Sequence, residues 1–141
     1  MRDQHTSTDA VLAIAPATVT AAANGNAVDL RGANACAFTL FVDGTGDTLS
    51  PANRFVVGFD EADADANGNP AAWTPVSAPK VFVKAGSSLS IEAKGAKHAY
   101  GVTSIKRFVR MTLTPQGTHT AGNGIVAVAV RGHLQTQGFG W

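Results

Sequence analysis

This chain has 141 residues, yet only one cysteine, one tyrosine and 15% charged residues. The lone Cys36 excludes an intrachain disulfide. It lies in the apolar run Cys36-Ala37-Phe38-Thr39-Leu40-Phe41-Val42, where a small core residue is expected rather than a reactive thiol. Eleven basic side chains against ten acidic ones leave a net charge of +1. That balance lacks the basic excess that grips a phosphate backbone, so general nucleic-acid binding is not expected. No stretch approaches the roughly 18 consecutive apolar residues of a membrane helix, so no membrane partner is expected either. Residues 11–23 are only mildly apolar and contain Pro16. A secretory leader is therefore not expected, and a cytoplasm-like compartment is the expected place of synthesis.

Helical periodicity is missing too, since no segment of ten residues repeats its apolar positions every 3.6 residues. Glycine is plentiful (15 residues), and alternating or apolar runs recur with turn signals between them. Strands are expected at Val28–Leu30, Cys36–Val42, Arg54–Asp60, Trp73–Val76, Val81–Lys84, Ser88–Ala93 and Tyr100–Ile105. Asn24-Gly25 marks a tight turn. Between Arg107 and Arg131 two strands flank a Gly-, Thr- and Asn-rich loop. In the first, Val109, Met111 and Leu113 point one way, and Phe108, Arg110, Thr112 and Thr114 the other. The second, Ile125–Arg131, is nearly unbroken Ile, Val and Ala. That pattern implies burial on both faces, or one face closed by small alanines. On the first option Val126–Val130 is a buried strand holding the 117–123 loop, and Val128→Asp unfolds the domain. About eight or nine short strands in one domain give an all-β, antiparallel β-sandwich of jelly-roll type over 21–141. Residues 1–20, rich in Thr and Ala and interrupted by Pro16, read as an extended N-terminal arm. The alternative is an edge strand at Val11–Ile14.

Catalytic patterns are scarce. His5, His98, His119 and His133 are scattered, and none sits at ligand spacing from another, so zinc has no ligand set. His119, in Gly117-Thr118-His119-Thr120, reads as a solvated loop residue. There is no Gly-x-Ser-x-Gly elbow, phosphate loop or dinucleotide fingerprint, and no cofactor is expected. The sharpest metal signal is Asp63-Ala64-Asp65-Ala66-Asn67-Gly68, the first half of a calcium loop. Asp63, Asp65 and Asn67 would be its ligands. Position twelve would be Thr74 rather than glutamate, and Pro70 interrupts the loop, so a polar turn is the favoured reading. Lys106, Arg107 and Arg110 split across two strand faces. Pairing with Asp60, Glu61 or Asp63 is as good a reading for them as phosphate binding. With no enzyme constellation, protein–protein contact is the remaining class. Val11, Ile14 and Pro16 in the arm, His119 in the loop, and the aromatic tip Phe139 and Trp141 are the interface candidates.

Three blocks carry a resemblance. They are Ala15-Pro16-Ala17 with Asn24-Gly25 and Val28-Asp29-Leu30-Arg31-Gly32; Gly46-Asp47-Thr48-Leu49-Ser50 with Asp60-Glu61-Ala62-Asp63 and Trp73-Thr74-Pro75-Val76; and Lys106-Arg107-Phe108-Val109-Arg110 with Gly117-Thr118-His119-Thr120 and Val126 to His133. In these the chain resembles small virion structural proteins of tailed bacteriophages, encoded beside the major capsid protein. The resemblance implies a non-enzymatic decoration or cement protein of the head. It would bind the major capsid protein, self-associate on the capsid surface, assemble in the bacterial cytoplasm and reside in the virion. The run at Asp60–Asp63 departs from the more acidic strand end usual there, and the Ala64–Ala72 insert is longer than expected. A neck, tail or host-attachment component with a carbohydrate-binding sandwich is the alternative.

Overall fold

The structure is a computed structural model that describes residues 8–31, 33 and 35–132. His5, His133, Phe139 and Trp141 lie outside those residues. Eleven strands are described: β1 (Thr8–Val19), β2 (Ala23–Asn24), β3 (Val28–Asp29), β4 (Ala35–Val42), β5 (Arg54–Ala62), β6 (Thr74–Pro75), β7 (Val81–Val83), β8 (Ser90–Ile91), β9 (Lys97–Thr103), β10 (Phe108–Gln116) and β11 (Asn123–Gly132). The one helical element described is the 3₁₀ turn Ala78–Lys80.

The strands form two antiparallel sheets. The first runs β1-β11-β4-β9-β7. The second is built on the long pair β5 and β10, with β2 and β3 along the free side of β10 and β6 and β8 along the free side of β5. This is the expected all-β sandwich. Its core alternates along each strand as a half-buried sheet requires. Cys36, Phe38, Leu40 and Val42 of β4 face Phe55, Val57 and Phe59 of β5 and Val109, Met111 and Leu113 of β10. Phe59 joins the layers, with its ring centroid 5.0 Å from Phe38 and 5.6 Å from Tyr100.

Three sequence expectations need correction. Residues 8–19 are no free arm: β1 pairs with β11 over its length, so the edge-strand alternative is realised and extended. The strand is hard to read because its register shifts twice, between Leu12 and Ile14 and between Ile14 and Ala17. Each shift puts two residues opposite one and breaks the period-2 pattern. The second correction concerns β11. Ala127 and Ala129 are fully buried, whereas Val126 and Val128 are half-buried and Val130 is exposed. The alanines, not the valines, face the core, so β11 takes the second of the two options. The third is His119, which is buried rather than solvated.

The two sheets meet along a seam at β1. The Gly25 amide donates to the Met111 carbonyl of β10 (2.7 Å), and the next amide, of Asn26, donates to the Ala13 carbonyl of β1 (2.7 Å). The Asn26 side-chain amide adds a bond to the Leu12 carbonyl (3.0 Å). The two Asn26 donors satisfy the Leu12 and Ala13 carbonyls at the first β1 bulge. A Cβ at Gly25 would lie 2.4 Å from the Ala13 oxygen, so only glycine fits.

Candidate functional site

The ionisable and nucleophilic groups of the described residues mostly pair with one another. Burial pushes the Cys36 thiol up to about 12, which keeps it protonated and unreactive. Glu61 points inward from β5. It accepts the Ser104 hydroxyl proton and lies 3.7 Å from the Lys80 ammonium. The Ser104 oxygen in turn accepts the Lys106 amide (3.1 Å), so this serine ties down the β9–β10 connection. Among the described residues no cluster of three or more His, Cys, Asp or Glu could hold a metal ion. In the 63–68 loop, one Asp65 carboxylate oxygen accepts the Asn67 amide (2.8 Å) and the Asn69 amide (3.0 Å). Asp63 lies 3.9 Å from the Lys106 ammonium. The carboxylate of Asp65 therefore organises its own turn, and that of Asp63 lies toward Lys106.

The outer face of the second sheet is polar and internally paired. Arg110 of β10 donates twice to Asp60 of β5 (3.1 and 3.2 Å), and its guanidinium lies 4.4 Å from the Trp73 ring centre. Arg107 grips Asp29 of β3 through two bonds (3.0 and 3.2 Å). The hydrogen bonds from Arg107 are the main reason the Asp29 carboxyl is held below its ordinary value. Arg54 bonds Gln116 (2.9 Å) and Glu92 (3.3 Å). The basic cluster of the sequence is thus an ion-pair ladder, not a phosphate site.

The outer face of the first sheet has the opposite chemistry. Cross-strand register aligns three rows on it: Ala10, Val130, Ala37, Gly101 and Phe82; Leu12, Val128, Thr39 and Ala99; and Val126, Phe41 and Lys97. Leu12 is 48% exposed, Phe41 43% and Phe82 46%. Charge stands at the margin of these rows: Lys97 at one corner, and Lys84, whose amide donates to the Ala99 carbonyl (3.1 Å) and which lines a hollow with Thr39, Ala99 and Lys97. The second bulge of β1 opens a shallow groove of about 420 Å³ at one end, between Pro16, Ala17 and Thr18 on one side and Phe41 and Val126 on the other. This face is the candidate functional site: isolated apolar residues on a surface are ordinary, whereas a contiguous patch marks an interaction surface.

The interface candidates separate accordingly. Val11, half-buried, and Pro16, exposed, lie on β1, with Pro16 lining the groove. Ile14 is 7% exposed and packs into the core, so it offers a partner nothing. The His119 ring lies 4.3 Å from that of Phe55, and its Nε2 lies 3.2 Å from the Arg54 carbonyl and 3.1 Å from that of Gln116. Both partners are acceptors, so Nε2 carries the proton and His119 is a structural staple. Sequence reasoning missed Leu12, Phe41, Phe82 and the outward valines. The signal was present in the Val-Ala-Val-Ala-Val alternation of residues 126–130. It also missed Asn123, fully buried, whose side-chain amide bonds the Thr45 and Asp47 carbonyls (3.1 and 2.9 Å). The Asp47 carboxylate returns the link by accepting the Ala121 and Gly122 amides (3.2 and 2.7 Å).

No family model and no curated protein matches this chain. Among solved structures it is similar to the SPBc2 prophage-derived protein YomS, with 12% identity and a TM-score of 0.49, over 88% of this chain and 91% of that one. The functional reading therefore rests on the two faces. No helix among the described residues is long and apolar enough to cross a membrane.

Proposed function

We propose that this chain is a non-enzymatic structural protein of a tailed-phage particle, a decoration or cement protein of the head, and that it binds the lattice of the major capsid protein through the outer face of its first sheet. One observation carries the reading: a sheet face with exposed Leu12, Phe41 and Phe82, and charge only at its margins, stands on a sandwich whose polar groups are largely spent on each other. Cementing needs no chemistry. A ligand that binds only the assembled lattice stabilises it by mass action. Copies that also touch each other on the capsid gain through effective concentration. The protein would assemble in the bacterial cytoplasm and leave in the virion. A glycan-binding reading is weaker, because Arg110 already covers a face of the Trp73 ring that a sugar would stack on.

The test is to add purified protein to phage heads stripped of it and to follow rupture on heating. Heads carrying the wild-type chain should rupture at a higher temperature than bare heads, and Leu12→Glu with Phe41→Glu should abolish the gain while leaving the chain folded. A rupture temperature unmoved by saturating wild-type protein sinks the cement role. Localisation of the chain to neck or tail would replace the head by another site on the particle.

A further inference from the structure

Asparagine followed by glycine occurs three times, at Asn24-Gly25, Asn67-Gly68 and Asn123-Gly124. The pair carries a chemistry of its own. A glycine amide nitrogen that has lost its proton can attack the side-chain carbonyl carbon of the preceding asparagine, and no Cβ crowds the approach. The new C–N bond closes a succinimide ring, and the side-chain nitrogen takes up a proton and leaves as ammonia. Water then opens the ring at either carbonyl, which yields an aspartate or an isoaspartate. Water is the only co-reactant, and nothing is oxidised or reduced. The step needs a glycine amide released from its hydrogen bond and an asparagine side chain able to turn, so the fold decides which pair reacts.

Two of the three pairs are locked. Asn24 lies in β2 opposite Thr112, and the Gly25 amide is bonded into β10 at the seam, tight against the Ala13 oxygen. Asn123 is fully buried, its side-chain amide is held by the Thr45 and Asp47 carbonyls, and Gly124 is paired with Thr18 in the β1–β11 ladder. Asn67, in contrast, is exposed on the 63–70 loop. The Gly68 amide makes a turn bond of 3.1 Å to the Asp65 carbonyl, and Gly68 stands at a φ of +81°. The turn is held by bonds within residues 65–69: the Asp65 amide donates to the Asn69 carbonyl (2.7 Å), and the Asn67 and Asn69 amides donate to the Asp65 carboxylate. It can therefore open without disturbing either sheet. Arg107 borders the site, since a Cβ on Gly68 would lie 3.7 Å from its Nη1. Its positive charge favours the oxyanion that forms during ring closure and the carboxylate that follows. The neighbouring Asn69 is inert by this route, because Pro70 has no N–H.

We propose that Asn67-Gly68 is a site of spontaneous modification in the folded protein, converted by its own backbone to aspartate or isoaspartate while Asn24 and Asn123 stay intact. Conversion replaces a neutral amide by a carboxylate, so the formal net charge falls by one, from +1 to zero. The new charge appears beside the ion pairs of the second sheet. Neither the site nor its conversion depends on head binding.

The test is to keep the folded full chain in warm, mildly alkaline buffer made with heavy-oxygen water and to follow peptides spanning each pair by mass spectrometry. The peptide with residue 67 should gain the mass of OH in place of NH2, take up heavy oxygen and split into aspartate and isoaspartate forms. Modification of a closed segment follows its open fraction, so residues 24 and 123 should react at least about a hundredfold more slowly. Denaturant kept below the unfolding transition should leave the rate at residue 67 nearly unchanged. Gly68→Ala should slow that rate at least about tenfold, because its methyl crowds the attacking nitrogen. Four results overturn the proposal. The first is an Asn67 that stays intact while the unfolded chain converts at all three pairs. The second is conversion at residue 24 or 123 as fast as at residue 67. The third is a rate at residue 67 that climbs with the unfolded fraction, and the fourth is one untouched by Gly68→Ala in a chain that still unfolds cooperatively.

Discussion

Arg110 and Val128 occupy equivalent places, each at the middle of a long strand with its side chain turned away from the core. Around Arg110 every neighbour answers it: Asp60 takes its protons and Trp73 takes its flat face. Around Val128 stand Leu12 and Thr39, which shield it sideways and leave it open above. The contrast shows how a small sandwich can divide its labour. One exterior is finished, because ion pairs with good geometry need no third party. The other is unfinished, because apolar surface in water gains about 25 cal/mol for every Å² a partner removes.

The sharpest break of this contrast compares adjacent residues of one strand. Ala127→Asp puts a carboxylate into the closed core and should cost more than about 4 kcal/mol, enough to unfold the domain in a chemical denaturation experiment. Val128→Asp, one residue on, should cost under about 1.5 kcal/mol by the same measurement and keep a single cooperative transition. His119→Ala removes a bonded imidazole and its contact with Phe55; it should lower stability by about 2 kcal/mol and leave head binding per folded molecule unchanged. Arg110→Ala strands Asp60 and should lose about 1.5–2 kcal/mol, again without effect on binding, since it alters only the finished face.

The smallest effect concerns acid. Asp29 is held below its ordinary 3.8 in the fold, chiefly by its hydrogen bonds with Arg107. The unfolded chain therefore binds the proton more readily, and the stability this carboxylate contributes is complete above 3.8 and lost as pH falls through the folded value. Melting temperatures measured across that range should converge for wild type and Asp29→Asn as the pH is lowered. A gap that stays constant would remove Asp29 from the pH dependence.

The strands whose alternation is undisturbed, β4, β5 and β10, were legible, because one buried face imposes a period of two on the sequence. The strand β1 was not, since its bulges hide Ala13 and Ile14 from any fixed period. His119 was misread because Gly-Thr-His-Thr looks like solvated loop, while the groups that bury it, Phe55 and the Arg54 carbonyl, lie more than sixty residues away. The candidate face was half legible. Val126, Val128 and Val130 announce an apolar strand, but only the cross-strand register shows that they share a surface with Leu12 and Phe41.

The seam at Gly25 and Asn26 also sets the order in which the molecule breathes. Both amides are bonded at 2.7 Å, one into each sheet, and the glycine leaves no gap for water. The opposite flank is bounded by β6, β7 and β8, which are two, three and two residues long, and β7 lies half open to solvent. Amide protons of that flank should exchange with deuterium through small local openings, whereas those of Gly25 and Asn26 should wait for global unfolding. The sandwich thus behaves like a book bound along one spine, whose free margin flutters while the pages at the binding stay shut.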